Sequence, residues 1–209
     1  QPLESYSTAL GSTFEIDRTA IKPYPACRHT NGPIDAAISI HDDLDELHPD
    51  DIESITLAIY DLAASLYDKP APTTHIQAHL SLQYTVVTAL LTGDLTVEQY
   101  DDEYYHDPEW RRQMDEMTIE VSDDYTDSFP NQWPSSVTVS LRDGSEATAS
   151  VTYPRGSPER PLSRDELEGK FRRLTDHRLD PDAQQRVIDQ IDTLETLETN
   201  PVDGLLPNE

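Results

Sequence analysis

The chain has 209 residues, of which 41 are Asp or Glu and 15 are Lys or Arg, so its formal net charge is −26 at pH 7. A carboxylate-covered surface that stays hydrated in salt indicates a halophilic protein, and the absence of a basic stripe disfavours nucleic-acid binding. A single cysteine, Cys27, excludes an internal disulfide and cysteine-based zinc or iron–sulfur sites, and no signal peptide or membrane-spanning run is present, so we expect a cytoplasmic protein.

The first half of the chain predicts two helices and one strand after a short basic loop at residues 22–30. A helix starts at Gly32, where apolar side chains begin to recur at a 3.6-residue period. Alternating apolar residues over 52–60 predict a strand. The longest apolar stretch, 77–91, predicts a buried helix that ends at Gly93.

The second half predicts short helices at 96–105 and 108–114, strands at 117–121, 137–141 and 147–153, and final helices at 165–175 and 181–196. Asp143-Gly144 between the last two strands is typical of a hairpin turn, and Ser163 with Glu166 forms a capping box. This order predicts an α+β fold: a two-layer sandwich of a mostly antiparallel, four-stranded sheet with helices on one face. The final helices have no obvious sheet to cover, so we expect them to dock outside this chain.

The basic loop brings Lys22, Arg28 and His29 together in an otherwise acidic chain. Two prolines stiffen this loop, because each one fixes its own φ and extends the residue before it. Lysine and arginine can neutralise carboxylates, and histidine can move a proton near neutral pH. The alternative is a surface turn with solvated charges, in which Cys27 is a small packing residue. Spacing alone leaves both interpretations open.

Tyr84 in the long apolar stretch is either a core residue or a hydrogen-bond donor in a cleft. The acidic residues between 42 and 51 lack the glycine and the spacing of a calcium loop, and His41 and His48 are not four residues apart. There is no phosphate loop, dinucleotide fingerprint or nucleophile elbow. We therefore predict no metal site and no cofactor.

Several segments resemble, in order, the MmgE/PrpD family, which includes 2-methylcitrate dehydratase and cis-aconitate decarboxylase. The matching segments are IKPYPACRHT at 21–30, IDAA at 34–37, QAHLSLQY at 77–84, ALLTG at 89–93, WP at 133–134, DG at 143–144, YPRG at 153–156, LSRDEL at 162–167 and KF at 170–171. Their order and spacing over most of the chain make the resemblance specific.

The resemblance implies a two-domain enzyme of which this chain is the C-terminal part. Residues 1–160 would form the small α+β domain, and residues 161–209 would be helices that return to an N-terminal all-helical domain. That domain is missing here, and the first methionine, Met114, also suggests a missing N-terminal region. The active site would lie between the two domains, and the protein would be a homodimer.

The implied activity is a cofactor-independent lyase for a di- or tricarboxylate, with 2-methylcitrate dehydratase of propionate catabolism as the first choice. The alternatives are a cis-aconitate decarboxylase- or epimerase-like member and a non-catalytic module that binds a carboxylate or a protein. The implied catalytic residues are Lys22, His29 and Tyr84, and the implied substrate-binding residues are Cys27, Arg28 and Gln83. Asn31 stands where many relatives have a further histidine, which affects the assignment of proton transfer.

Overall fold

The computed structural model describes residues 11, 14–44 and 47–196, apart from the side chains of residues 102 and 103. The chain divides into two compact units, Gln1–Pro161 and Leu162–Glu209. No helix in the described part of the chain is long and apolar enough to cross a membrane.

The first unit combines a sheet with short helices. The described helices are α1 (Asn31–Asp43), α2 (Asp61–Tyr67), α3 (His75–His79), α4 (Leu82–Thr92), α5 (Asp102–His106), α6 (Pro108–Glu116) and α7 (Asp123–Ser128). The described strands are β1 (Ile52–Ile59), β2 (Thr118–Val121), β3 (Ser135–Leu141) and β4 (Glu146–Val151).

The four strands form one sheet in the order β2-β1-β3-β4. Strand β1 pairs parallel with β2 and antiparallel with β3, and β3 pairs antiparallel with β4. Buried residues alternate along β1 and β3, so one face of the sheet is in the core and the other carries half-exposed serines and threonines. Helix α1 packs on β3, on β4 and on α4, which is buried over residues 82–90. These observations confirm the predicted α+β fold.

Two element boundaries that were predicted from glycine residues are confirmed. Gly144 has a φ of +87° in the turn between β3 and β4, and its N–H donates to the Leu141 carbonyl at 2.9 Å. Gly93 ends α4 in the left-handed conformation with a φ of +71°. Both positions favour glycine, because other residues rarely adopt a positive φ.

The predicted helix over 77–91 was wrong in one respect, because the structure divides it into α3 and α4. The Ser81 hydroxyl lies between the two helices and accepts a hydrogen bond from the Tyr84 N–H at 3.0 Å, which starts α4. The short helices α2 and α7 were not predicted, since helices of two turns or fewer show little periodicity.

The second unit contains two described α-helices, α8 (Arg164–Thr175) and α9 (Pro181–Asp192). The predicted capping box is present: the Ser163 hydroxyl accepts from the Glu166 N–H, and the Glu166 carboxylate accepts from the Ser163 N–H at 2.7 Å. Between these helices lies an open cavity of about 340 Å³, whose apolar lining residues are Leu167, Phe171, Val187, Ile188 and Ile191. We call this cavity the apolar groove of α8 and α9. That these helices dock outside this chain stays a prediction.

Candidate active site at the basic loop

A buried carboxylate holds the basic loop in place from the side of α1. Asp35 accepts a hydrogen bond from the Tyr24 hydroxyl at 2.7 Å and from the Arg155 N–H at 2.6 Å, and it pairs with Arg160 at 3.1 Å. The Asp35 side chain is only 3% exposed, so these contacts replace the water that the carboxylate lost on folding. The loop is therefore tied to α1 and to the segment after β4.

His29 lies inside a group of aromatic rings, which we call the His29 cluster. It comprises His29, Tyr60, Tyr67, Phe129 and Trp133. The Nδ1 atom of His29 is 2.6 Å from the Tyr60 hydroxyl, and the centroids of the Tyr67 and Trp133 rings are 5.1 and 5.0 Å from that of the imidazole. The imidazole is half-buried, with one nitrogen held by a specific partner.

The surroundings of His29 keep its imidazole neutral. Burial, together with the positive charge of Arg28, lowers the pKa of His29 below its usual value of 6.5. Burial also raises the pKa of the Tyr60 hydroxyl, which therefore keeps its proton. In the tautomer where Nδ1–H donates to the Tyr60 oxygen, Nε2 has a free lone pair and can accept a proton.

Arg28 presents a charged, incompletely paired group beside the imidazole. Its guanidinium lies 5.1 Å from the centroid of the Trp133 ring, and Nη2 donates to the Ser157 hydroxyl at 2.8 Å. The second amino group, Nη1, is buried without a hydrogen-bond partner in the described part of the chain. Arg28 also lines a cavity of about 490 Å³, together with Arg18, Asn131, Trp133, Tyr153 and Ser157. Because an unpaired charged donor is costly, this arrangement favours an anion as a partner.

Cys27 connects the loop to two other elements. A hydrogen bond joins its thiol to the Tyr67 hydroxyl. This bond raises the pKa of Tyr67, and burial raises it further. Its backbone N–H donates to the His79 carbonyl at the end of α3 at 3.2 Å. The structure therefore brings three of the predicted site residues, Cys27, Arg28 and His29, to one place.

Tyr84 and Gln83 lie elsewhere, in the buried helix α4. The Tyr84 hydroxyl donates to the Gln99 carbonyl, and its ring contacts Tyr100 and Tyr105. The Gln83 amide accepts from the Lys69 N–H at 2.9 Å and donates to Asp68 at 2.6 Å. Among the described residues, no hydrogen bond or ring contact joins Tyr84 to the His29 cluster, so the roles of Tyr84 and Gln83 stay predictions.

Lys22 lies on the exposed side of the loop, towards α3. Burial lowers the pKa of His79, and the neighbouring His75 and the charge of Lys22 lower it further. Lys22 and Arg28 are therefore next to different groups: Lys22 is near the histidines of α3, and Arg28 is beside His29 and Trp133.

The residues that orient His29 were not predicted from the sequence. Tyr60 directly follows β1, Tyr67 ends α2, and Phe129 follows α7. An aromatic residue at the end of an alternating strand was the available signal for Tyr60, and it is a weak one. In the part of the chain that the structure describes, no group of three or more His, Cys, Asp or Glu side chains is placed to hold a metal ion.

Comparison with known proteins agrees with the resemblance seen in the motifs. A sequence model of the MmgE/PrpD C-terminal domain matches residues 24–196. The chain is 29% identical to cis-aconitate decarboxylase of Mus musculus and 30% identical to that of Homo sapiens, in each case over 86% of this chain and 37% of the relative. It is 26% identical to 2-methylcitrate dehydratase of Salmonella typhimurium, over 88% of this chain and 40% of the relative. The chain thus spans well under half the length of these relatives.

Proposed function

Because the chain belongs to the MmgE/PrpD family, we propose that it is the C-terminal part of a cofactor-independent lyase acting on a di- or tricarboxylate. The relatives named above are a decarboxylase and a dehydratase of carboxylic acids, which supports a lyase. The observation that carries the proposal is the pairing of a neutral imidazole with a charged, incompletely paired guanidinium in one rigid loop.

In this proposal, His29 removes a proton next to a substrate carboxylate, with Tyr60 holding its Nδ1 atom. Arg28 binds that carboxylate and stabilises the negative charge that develops as the proton leaves. Lys22 contacts a second carboxylate, and Cys27 contacts the substrate next to Arg28. Positioned acid–base groups of this kind contribute roughly 10²–10⁴-fold to the rate each.

Tyr84 is the proposed acid that protonates the leaving hydroxyl, with Gln83 next to it in contact with substrate. Burial raises the pKa of Tyr84, so its hydroxyl is protonated at neutral pH, as an acid requires. In the structure that proton is donated to the Gln99 carbonyl. Tyr84 would therefore have to give up this hydrogen bond before its hydroxyl could protonate the substrate.

For the reaction itself, our first choice is the elimination of water from 2-methylcitrate, a step of propionate catabolism. The second candidate is a cis-aconitate decarboxylase- or epimerase-like reaction, and the identity of 29–30% to the decarboxylases supports it. The third candidate is a module that binds a carboxylate or a protein partner without catalysis.

We further propose that an N-terminal helical domain completes the active site, since the relatives are more than twice as long as this chain. Residues 1–160 would be the small domain, and the helices from 161 onward would pack on the helical domain through the apolar groove of α8 and α9. The whole protein would be a cytoplasmic homodimer. The 209-residue chain alone would then be inactive.

The test uses the complete protein, made with its proposed N-terminal domain, and a panel of 2-methylcitrate and cis-aconitate scored for water loss, CO₂ release and stereochemistry. We expect His29→Ala and Arg28→Gln each to lower kcat/KM by roughly 10²–10⁴-fold. The matched control is Arg186→Gln, which removes an exposed arginine of α9 and should leave the rate unchanged. An unchanged rate for His29→Ala would remove the base from the mechanism, and turnover by the 209-residue chain alone would refute the shared site.

A further inference from the structure

His75 and His79 form a pair on one side of α3, beside the basic loop. They are four residues apart, and this spacing places both side chains on the same face of a helix. The centroids of their rings are 4.7 Å apart, and the ring planes are nearly perpendicular at 88°. Among the described residues, neither imidazole takes part in a side-chain hydrogen bond. The four-residue spacing of His75 and His79 is visible in the sequence, but it was not predicted to be a metal site.

The distance between the centroids of the two rings is compatible with a shared metal ion. Zinc–nitrogen bonds are about 2.0–2.1 Å long, so two imidazoles on one tetrahedral ion have centroids about 5 Å apart. Paired histidines four residues apart on a helix are a known arrangement of zinc ligands. We propose that His75 and His79 together bind one divalent transition-metal ion, of the class that imidazole nitrogens prefer: Cu²⁺, Ni²⁺ or Zn²⁺.

The surroundings of His79 fix the orientation of its ring and keep it neutral. The His79 ring is stacked on Tyr100 with 3.8 Å between centroids, and Tyr100 itself is buried, so the orientation of His79 is fixed by packing. The lowered pKa of His79 leaves its imidazole neutral at pH 7, and a neutral imidazole is the form that binds metal. His75 is exposed, and its ring can turn towards the ion.

Two electrostatic effects act on the ion in opposite directions. Lys22 is close enough to lower the pKa of His79, and its charge disfavours a cation at the pair. The net charge of −26 on the whole chain attracts cations, most strongly at low ionic strength. No third His, Cys, Asp or Glu ligand is in place among the described residues, so water would fill the remaining positions and the affinity would be modest. The pair lies beside Lys22, but the proposal does not depend on the proposed catalysis.

The experiment is a titration of the tag-free 209-residue chain with Cu²⁺ and Ni²⁺ by calorimetry, combined with electron paramagnetic resonance of the Cu²⁺ complex. We expect one equivalent to bind, with a spectrum that shows two coordinating nitrogens and a higher affinity for Cu²⁺ than for Ni²⁺. His75→Ala and His79→Ala should each weaken binding by at least about tenfold, because either change leaves a single imidazole ligand. His106→Ala, which removes an exposed histidine without a second one a turn away, should bind as the unchanged chain does.

Three outcomes would overturn the proposal. The chain could fail to bind one equivalent of Cu²⁺, or a double variant with both His75→Ala and His79→Ala could still bind it. Equal binding of Mg²⁺ would identify surface carboxylates as the ligands. His75→Ala decides the matter if His79→Ala unfolds the chain, because His75 is exposed and is not stacked on Tyr100.

Discussion

The protonation state of His29 is what gives the basic loop its chemistry. In water an imidazole is partly charged near neutral pH, and a charged imidazole cannot act as a base. Here burial and the adjacent Arg28 both disfavour the charged form, while Tyr60 holds one nitrogen without contributing a charge. A residue that looks like one more surface cation in the sequence is therefore a neutral group in the folded chain.

A titration followed by nuclear magnetic resonance tests this assignment. We expect the His29 pKa to lie below 6.5, and Arg28→Gln to raise it, because the change removes a neighbouring positive charge. Arg186→Gln, far along the chain and exposed, should leave the His29 pKa unchanged.

The same shift predicts how stability depends on pH. The folded-state pKa of His29 is below its unfolded value, so the unfolded chain binds more protons between the two. The contribution of His29 to stability is therefore present above about pH 6.5 and is lost as the pH falls. A His29 that titrates at or above 6.5 in the folded chain would contradict both expectations.

Asp35 is the second residue with a large individual effect. Its carboxylate is almost fully buried and accepts hydrogen bonds from three donors on two other segments. Both its negative charge and its position are therefore needed. The basic loop, α1 and the segment after β4 meet at this one group.

We expect Asp35→Asn to lower the free energy of unfolding by about 2–4 kcal/mol, since it removes a buried charge from hydrogen bonds to Tyr24, Arg155 and Arg160. Chemical denaturation of the chain measures this change. Asp115→Asn, at an exposed position of α6, is the control and should stay within about 0.5 kcal/mol of the unchanged chain. A similar small effect at Asp35 would show that the network does not hold the loop.

Among the structural elements, the segment after β4 does more than connect the sheet to the second unit. Gly156 has a φ of +82°, and its carbonyl accepts from the Ile21 N–H at 2.9 Å. A β-carbon at this position would lie 1.9 Å from the Ile21 carbonyl oxygen. The backbone of this segment therefore touches the start of the basic loop directly, and only glycine allows the contact.

Two glycine substitutions separate this contact from simple backbone strain. Gly156→Ala and Gly144→Ala both place alanine at a positive φ, but Gly144 has open space around it. We expect Gly144→Ala to lower the free energy of unfolding by about 1–2 kcal/mol, and Gly156→Ala to lower it by clearly more. Denaturation of both variants gives the comparison. Equal losses would mean that the close approach to Ile21 relaxes without effect.

At the scale of the whole molecule, the main feature is the excess of negative charge. A net charge of −26 on 209 residues makes self-repulsion a general destabilising term, and mobile ions screen that repulsion. The halophilic interpretation depends on this balance.

We expect the Tm of the chain to rise as KCl is raised from low to molar concentrations, because the Debye length falls from about 30 Å at 0.01 M to about 3 Å at 1 M. Calorimetry or circular dichroism measures the change. Sucrose at matched osmolality is the control, since it strengthens burial without screening charge. A Tm that is the same at low and high KCl would argue against the halophilic interpretation.

The parts of the fold that could be predicted from the sequence are those with a strong local signal. The Asp143-Gly144 turn needs a positive φ, the Ser163–Glu166 capping box satisfies helix donors within four residues, and the alternation over β1 follows from the period of a strand. The break at Ser81 was missed, because a serine inside an apolar run can either continue a helix or cap a new one.

The candidate site could be predicted from the sequence only in part. Its basic residues, Lys22, Arg28 and His29, stand out because basic residues are few in this acidic chain. The partners that change their chemistry come from separate segments: Tyr60 is 31 residues from His29, and Ser157 is 129 residues from Arg28. Charge and residue type are properties of the chain and can be read from it. Burial, tautomer and pKa depend on which distant side chains displace water around a group, and those neighbours are chosen when the sheet and helices pack.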